Sequence, residues 1–260
     1  LMVERTEALI DGIKTLKKVL NVHKVLIGIE DNKEETIDIV RHAADIDNDI
    51  KVCVTKTRYP QGGERQLIEA LTGRVVPAKP GLPMDIGVVV HNVSTCVAIY
   101  DAVYHGKPLY ERILTVAGGA VANPKNLIVR NGTQIKHLAE ICGIRATPSK
   151  IIMGGPMMGI AVSDMDTPVS KSTSGVLFLS EKEAKRFTQS PCIKCGSCVQ
   201  ACPIFLNPTL LGMASRLNNK ELFTYGHGKD CMECGSCAYS CPSRIPLVHH
   251  IRLGKVKFNG

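Results

Sequence analysis

The sequence predicts an α/β chain in three consecutive parts: a portion with a parallel sheet, a small α+β module and a helix-rich C-terminal region. Three observations predict it. Apolar spacing over the first hundred residues alternates between helical and strand periods. A series of short strands with one helix starts at Ile113. Eight of the eleven cysteines fall between Cys192 and Cys241, in two copies of one motif.

Residues 6–20 read as an amphipathic helix, with Leu9, Ile13, Leu16 and Leu20 on one stripe. Lys24 to Ile29 reads as a strand stopped by the turn-prone Asp31-Asn32, residues 33–44 as a helix, and Ile50 to Val54 as a second strand. Strand, helix and strand with short connections make a βαβ unit, which implies parallel pairing. A helix is expected over residues 64–72, then an irregular loop holding Pro77, Pro80, Gly81 and Pro83. Ile86 to Val90 is expected to be a third buried strand, with Ser94-Thr95 capping a helix that runs to about His105.

From Ile113 the texture changes. Ile113–Val116, Asn126–Arg130 and Lys150–Met153 read as short strands, and Thr133 to Ile141 as a helix ended by Gly143. The run Gly154-Gly155-Pro156-Met157-Met158-Gly159 is expected to close this module. Val176–Leu179 and a helical stretch at 181–188 then lead into the cysteines.

Composition excludes several classes. A 44% hydrophobic and 22% charged chain of 260 residues is globular, not disordered. Aromatics are 4% and Trp is absent, so a stacking platform for nucleic acid is not expected. No apolar run has the length of a membrane span, and Leu1-Met2-Val3-Glu4-Arg5 does not read as a signal peptide. No G-x-S-x-G or H-E-x-x-H occurs, so hydrolase chemistry has no support.

The two cysteine runs are Cys192-Ile-Lys-Cys195-Gly-Ser-Cys198-Val-Gln-Ala-Cys202-Pro203 and Cys231-Met-Glu-Cys234-Gly-Ser-Cys237-Ala-Tyr-Ser-Cys241-Pro242. Both are C-x2-C-x2-C-x3-C-P, the spacing that holds [4Fe-4S] clusters. Zinc sites use four ligands in two pairs, not four in one short run. In two-cluster ferredoxins the fourth cysteine ligates the other cluster. One cluster is therefore expected on Cys192, Cys195, Cys198 and Cys241, and the other on Cys231, Cys234, Cys237 and Cys202. Residues 203–230, with Pro208, Leu210, Leu211, Met213, Ala214 and Leu217, suggest a helix between the runs. The last part is thus expected to be a helix-rich two-cluster ferredoxin domain. Each oxidised cluster with its thiolates carries about −2, which brings the formal +8 of the chain to roughly +4.

Upstream, Gly62-Gly63 follows a strand and opens a helix, where bare amides form an anion site. The segments Tyr59-Pro-Gln-Gly62-Gly63-Glu64, Leu71-Thr72-Gly73-Arg74 and Gly87-Val-Val-Val90-His91-Asn92-Val93-Ser94-Thr95 resemble the flavin- and NADH-binding subunit of respiratory complex I. The fuller resemblance is to the RnfC family of the Rnf electron-transport complex, and it covers essentially the whole chain. It implies a Rossmann-like flavoprotein portion at 1–110, a β-grasp module of the soluble-ligand-binding type at 111–165, a linker at 166–190 and a double [4Fe-4S] domain at 191–260. Val116-Ala-Gly118-Gly119-Ala-Val-Ala-Asn123-Pro124 carries the β-grasp likeness.

The same resemblance implies FMN as cofactor and NADH as substrate. Tyr59, Gly62, Gly63 and Glu64 match the loop around flavin and nicotinamide, with Glu64 as the catalytic candidate. Val90, His91, Asn92 and Thr95 match the strand end beside the flavin. Complex I has a second acidic residue where this chain has Gly63, which favours the Rnf branch. The family places a glycine-rich phosphate loop, an acidic segment and a barrel-like domain before the point where this sequence begins. The chain is therefore expected to be truncated, cleaved or partial, and to bind FMN weakly by itself. Implied partners are NAD(H), ferredoxin through the complex, and the other subunits of a membrane electron-transport complex. The implied location is the cytoplasmic face of the membrane, peripherally. The alternatives are a soluble flavoprotein of the proline-reductase-associated or cobalamin-reducing type, and an iron–sulfur scaffold without flavin. Cys53, Cys96 and Cys142 are expected in cores, Met153, Met157 and Met158 in packing, and His249-His250 at the surface.

Overall fold

A computed structural model describes residues 1–185 and 187–258. The chain divides into two compact units, Leu1–Leu109 and Tyr110–Gly260.

In the first unit the helical stripe becomes α1 (Thr6–Leu20), followed by β1 (Val25–Glu30), α2 (Glu34–Ala44) and β2 (Ile50–Thr55). β1 and β2 pair in parallel, from Val25 opposite Ile50 to Glu30 opposite Thr55. Parallel neighbours need a crossover, and α2 supplies it. α3 (Glu64–Thr72) and α4 (Val93–His105) complete the unit. Its core joins Leu9, Ile10 and Ile13 of α1 to Ile27 and Ile29 of β1, Ile37 and Val40 of α2, and Cys96 and Val97 of α4.

α1 and α4 cross at very close range. A Cβ added at Gly12 would overlap the Cys96 carbonyl oxygen. The same pair is clamped at its other end by Arg5, whose Nη1 and Nη2 donate to the two Asp101 carboxylate oxygens at 2.9 and 2.6 Å.

The expected third strand at Ile86–Val90 is not formed. Pro83–Ile86 is a single 3-10 turn, Gly87 adopts φ 70°, and the Val88 amide returns to the Pro83 carbonyl at 3.1 Å. Proline and left-handed glycine turn the backbone away from a ladder, so β1 and β2 stand as a two-stranded sheet among the described residues. The cap of α4 is Asn92, ahead of the expected Ser94-Thr95, because its side-chain oxygen accepts from the Ser94 amide at 2.9 Å.

The second unit begins with β3 (Glu111–Ala117), β4 (Lys125–Arg130), α5 (Ile135–Cys142), β5 (Lys150–Met153), β6 (Ile160–Val162) and β7 (Gly175–Leu179). They form one mixed sheet in the order β4-β3-β7-β5-β6. Leu138, Ala139 and Cys142 of α5 share a core with Leu114, Val116, Ile151, Val176 and Phe178 of the strands. β7 is parallel to β3 and antiparallel to β5, so it is the central strand. The sheet therefore does not close at Gly159, and residues 166–190 are not simply a linker. The expected helix at 181–188 is also not formed. Its start is a turn closed by Glu183, whose carboxylate accepts from the Ser180 amide and hydroxyl and from the Gly119 amide. Arg186 lies outside the described residues.

The cysteine region carries α6 (Ser197–Gln200), α7 (Pro208–Arg216), α8 (Lys220–Tyr225), α9 (Ser236–Tyr239) and α10 (Leu247–Phe258). α7 and α10 pack around Phe223, with Leu211, Ala214, Ile251 and Phe258. Ser215 Oγ donates to the His250 carbonyl at 2.6 Å and ties the two helices together.

A methyl group at position 12 has no room against the α4 backbone, so Gly12→Ala should destabilise the first unit by about 1–3 kcal/mol. The expected result is a lower urea midpoint for that unit's transition with the second unit's transition unmoved. An unchanged first transition would contradict the close crossing.

Candidate functional site: two cysteine clusters and two helix entrances

Each position of the second cysteine run lies 39 residues after its counterpart, Cys231 after Cys192 and Cys241 after Cys202. The backbone repeats with it. Lys194 and Glu233 have φ 57° and 60°, Gly196 and Gly235 have 77° and 84°, and Phe205 and Arg244 have 57° and 55°. Left-handed non-glycine residues are strained and persist where their surroundings dictate them. Here the bend turns amides toward sulfur. The Lys194 and Glu233 amides each donate to the Sγ of the cysteine two residues back at 3.4 Å, and the Leu206 amide donates to Cys202 Sγ at 3.3 Å. Such bonds favour thiolate over thiol and suit sulfur that carries negative charge.

Cys202, Cys231, Cys234 and Cys237 line one pocket, walled by Pro203, Ile204, Leu206, Leu211, Val248 and Ile251. The fourth cysteine of the first run thus stands with the first three of the second. Burial, with the closeness of Cys231, Cys234 and Cys202, pushes the Cys237 thiol up to about 12, and burial also raises Cys231. Four sulfurs around an apolar pocket fit a cubane cluster, which spreads their charge, better than four free thiolates.

The stretch around Cys241 is held against the first run. The Ser243 hydroxyl donates to the Pro191 carbonyl at 2.9 Å, the Ser190 amide to the Ser243 carbonyl at 3.0 Å, and the Ser240 hydroxyl to the Ser197 carbonyl at 3.4 Å. These bonds bracket Cys241 against the segment that holds Cys192, Cys195 and Cys198. Here Cys192 and Cys195 are exposed, while Cys198 and Cys241 are buried. The Ser197 hydroxyl lies 3.3 Å from Cys195 Sγ and draws that thiol below its usual range.

The surroundings of the second run hold groups that the sequence does not single out. Glu233 Oε2 accepts from Arg252 Nε at 2.8 Å, and its Oε1 from Lys255 Nζ at 2.7 Å. Lys255 Nζ also donates to the Cys231 carbonyl at 2.5 Å. Burial raises the Glu233 carboxyl, but Lys255 and Arg252 outweigh it and leave the group below its ordinary value. Met157 and Met158, expected in packing, form a turn between β5 and β6. Met158 is 42% exposed, and the Met157 carbonyl lies where a Cβ on Gly235 would meet it at 2.6 Å. Of the lone cysteines, Cys96 and Cys142 are buried and Cys53 is half-buried.

The remaining candidates gather at two helix entrances of the first unit. Tyr59, Gly62, Gly63 and Glu64 lead into α3, with Gly63 as its cap and no side chain closing the cap. The loop is folded on itself by Gln61 N to Arg58 O at 2.7 Å and Gly63 N to Pro60 O at 2.8 Å. Open space surrounds Gly62, and Tyr59 and Glu64 are exposed. Val90, His91, Asn92 and Thr95 lead into α4, where the Thr95 amide donates to the Asn92 carbonyl at 2.9 Å. Arg65 and Arg74, at α3 and just beyond it, hold the loop between the two entrances. Arg65 donates to the carbonyls of Pro77 and Gly81 at 2.8 and 3.1 Å, and Arg74 to that of Ile86 at 2.8 Å.

In metal-free protein the raised Cys237 thiol makes the folded state hold its proton more tightly than the unfolded state. That stability is fully present below the ordinary thiol value of 9 and is lost as pH rises toward about 12. Chelator-stripped, reduced protein should therefore unfold more easily across that window. The fall should be smaller in Cys237→Ala, and equal falls in the two proteins would contradict the assignment.

Residues 1–101 match the Nuo51 FMN-binding domain family, and residues 191–245 match the 4Fe-4S dicluster domain family. The chain is 45% identical over 223 residues to the C subunit of the proton-translocating ferredoxin:NAD(+) oxidoreductase complex of Clostridium ljungdahlii, covering 85% of this chain and 48% of that one. It is 44% identical over 256 residues to the C subunit of the Na(+)-translocating ferredoxin:NAD(+) oxidoreductase complex of Acetobacterium woodii, covering 98% and 58%. The C subunit of the ion-translocating oxidoreductase complex of Pseudomonas aeruginosa is 42% identical over 259 residues, covering 99% and 33%. The chain thus spans about half the length of the first two relatives. An NAD+-reducing [NiFe]-hydrogenase structure shares the fold, with TM-score 0.63 at 16% identity, covering 100% of this chain and 52% of that one. With an FMN-binding family followed by a dicluster family, and this identity over most of its length, the chain belongs to the RnfC family.

Proposed function

We propose that this chain is the part of an RnfC protein that exchanges electrons between NADH with FMN and two [4Fe-4S] clusters. The observation that carries this reading is the grouping of Cys202 with Cys231, Cys234 and Cys237 in one apolar pocket, in a chain whose first unit matches an FMN-binding family. Cys202, Cys231, Cys234 and Cys237 hold one cluster, and Cys192, Cys195, Cys198 and Cys241 the other. When bound, the clusters supply one-electron carriers, and FMN supplies the step between hydride and single electrons.

The chain's own residues do the rest. Amides at 194, 206 and 233 stabilise thiolate sulfur. The bare cap at Gly63 offers α3's first amides to a phosphate or a nucleotide. Glu64 and Tyr59, exposed beside it, orient the nicotinamide, and Val90, His91, Asn92 and Thr95 line the flavin at the α4 entrance.

The partners are NAD(H), the other subunits of the complex, and ferredoxin through them. No helix among the described residues is long and apolar enough to cross a membrane. Peripheral attachment through partner subunits at the cytoplasmic face is the arrangement we propose.

Anaerobically prepared protein should carry about eight irons per chain, four for each cluster. Cys202→Ala should alter the low-temperature paramagnetic signal of the cluster on Cys231, Cys234 and Cys237 and leave the other signal in place. Loss of the other signal instead would overturn the ligand assignment, and stoichiometric zinc with negligible iron would overturn the cofactor. In the full-length protein, Asn92→Ala and Glu64→Gln should lower NADH-driven dye reduction at unchanged iron content. Unchanged rates in both would remove those two residues from the flavin and nicotinamide site.

A further inference from the structure

The two cysteine runs are alike in spacing and backbone, but their surroundings are not. Carried back by the 39-residue repeat, Glu233, Arg252 and Lys255 fall on Lys194, Met213 and Arg216. The acid has no counterpart at the first site, where a lysine stands in its place. The structure makes the difference concrete. Glu233 sits inside the Cys231–Cys234 loop, bound by Arg252 and Lys255 in ion pairs of 2.8 and 2.7 Å, with all three side chains about a third exposed or less. Lys255 is also fixed to the Cys231 carbonyl, and Arg252 Nη2 donates to the Met158 carbonyl at 3.1 Å. The Met157–Met158 turn closes over Gly235, whereas nothing lies within 4 Å of a Cβ built on its counterpart Gly196.

We propose that the Glu233–Arg252–Lys255 ion-pair cluster, braced on the Met157–Met158 turn, sets the position and the reduction potential of the site formed by Cys202, Cys231, Cys234 and Cys237, and has no such role at the other site. The inference rests on the reading of these cysteines as cluster ligands. The three residues are positioning residues, since none is placed as a ligand. Their effect is electrostatic. Reduction adds one electron, so a nearby cation favours the reduced state and a nearby anion opposes it. Partial burial lets these charges act with less screening than surface charges. The ion pairs also hold the Cys231–Cys234 loop, so that the Glu233 amide stays on Cys231 Sγ.

The test is a redox titration of the holo-protein, followed by the paramagnetic signals of the two clusters. Glu233→Gln removes an anion and leaves two cations, and should move one midpoint to more positive potential. Arg252→Gln removes a cation and should move the same midpoint the other way. The second midpoint should stay fixed in both. A purely structural role would shift both variants in one direction, so equal-sign shifts would overturn the proposal. So would joint movement of both clusters, or unmoved midpoints in protein with about eight irons. If Glu233→Gln sheds iron, Arg252→Lys and Arg252→Gln decide the matter. The charge-conserving variant should keep the wild-type midpoint and the neutral one should lower it. Equal midpoints in these two would refute the electrostatic role. The ligand reading fails separately, if the responsive cluster survives Cys202→Ala unaltered.

Discussion

Residues 191–258 depend on one exchange: the last cysteine of the first run stands with the first three of the second, and the stretch around the last cysteine of the second run is held against the first. Cys202 is four residues from Cys198 in sequence, yet it lines the pocket of Cys231, Cys234 and Cys237. Between them lie α7 and α8 and the Phe223 core, so the pocket can form only when those helices have packed. A group bound by all four sulfurs would therefore close a long loop, and its binding free energy would also be folding free energy. The Ser190–Ser243 and Ser197–Ser240 contacts hold the stretch around Cys241 against the first run.

The first unit works from a different constraint, the close passage of α1 over α4. Gly12 permits the approach, and the Arg5–Asp101 pair fixes its angle. With α4 so placed, its entrance at Asn92 is placed too, because the cap begins one residue before the helix. α3 is anchored differently. Arg65 and Arg74 reach out to backbone carbonyls of the proline-containing loop. They give a segment without its own ladder a defined course up to Gly87. The candidate flavin and nicotinamide residues thus stand in loops and on the first turns of the helices those loops enter, a common arrangement for binding groups.

What can be read from the sequence follows from how local each signal is. The cysteine spacing is local, and the runs are legible for that reason. Helices α1, α2 and α3 carry clear periods and lie within a residue of their expected bounds. The apolar run at 86–90 misleads because a short apolar stretch does not identify a strand without a partner, and Pro83 and Gly87 deny it one. β7 is legible as a strand but not as the centre of the sheet, since strand order is set by pairing across sixty residues, Thr115 with Gly175. The contact of the Met157 carbonyl on Gly235 has no sequence signal at all. Glu233, Arg252 and Lys255 read as ordinary surface charges, because their spacing shows nothing until α10 folds back over the cysteine loop.

The repeat itself explains why this matters. Two sites with the same ligands and the same backbone would have nearly the same chemistry, since the spacing and the amide–sulfur bond onto the first cysteine of each run are common to both. Whatever distinguishes them must come from residues outside the repeat. Potentials of such sites respond to net charge, hydrogen bonds to sulfur and solvent exposure. The structure varies charge and exposure while holding that one amide–sulfur bond constant. The first site leaves Cys192 and Cys195 open to solvent with Lys194 beside them. The second is roofed by the β5–β6 turn and carries an acid between two bases. The module between the flavin-type unit and the cysteines therefore does more than separate them, because one of its turns forms part of the environment of a single site. Asymmetry imposed on a symmetric frame is how one repeated motif can supply two carriers of different character.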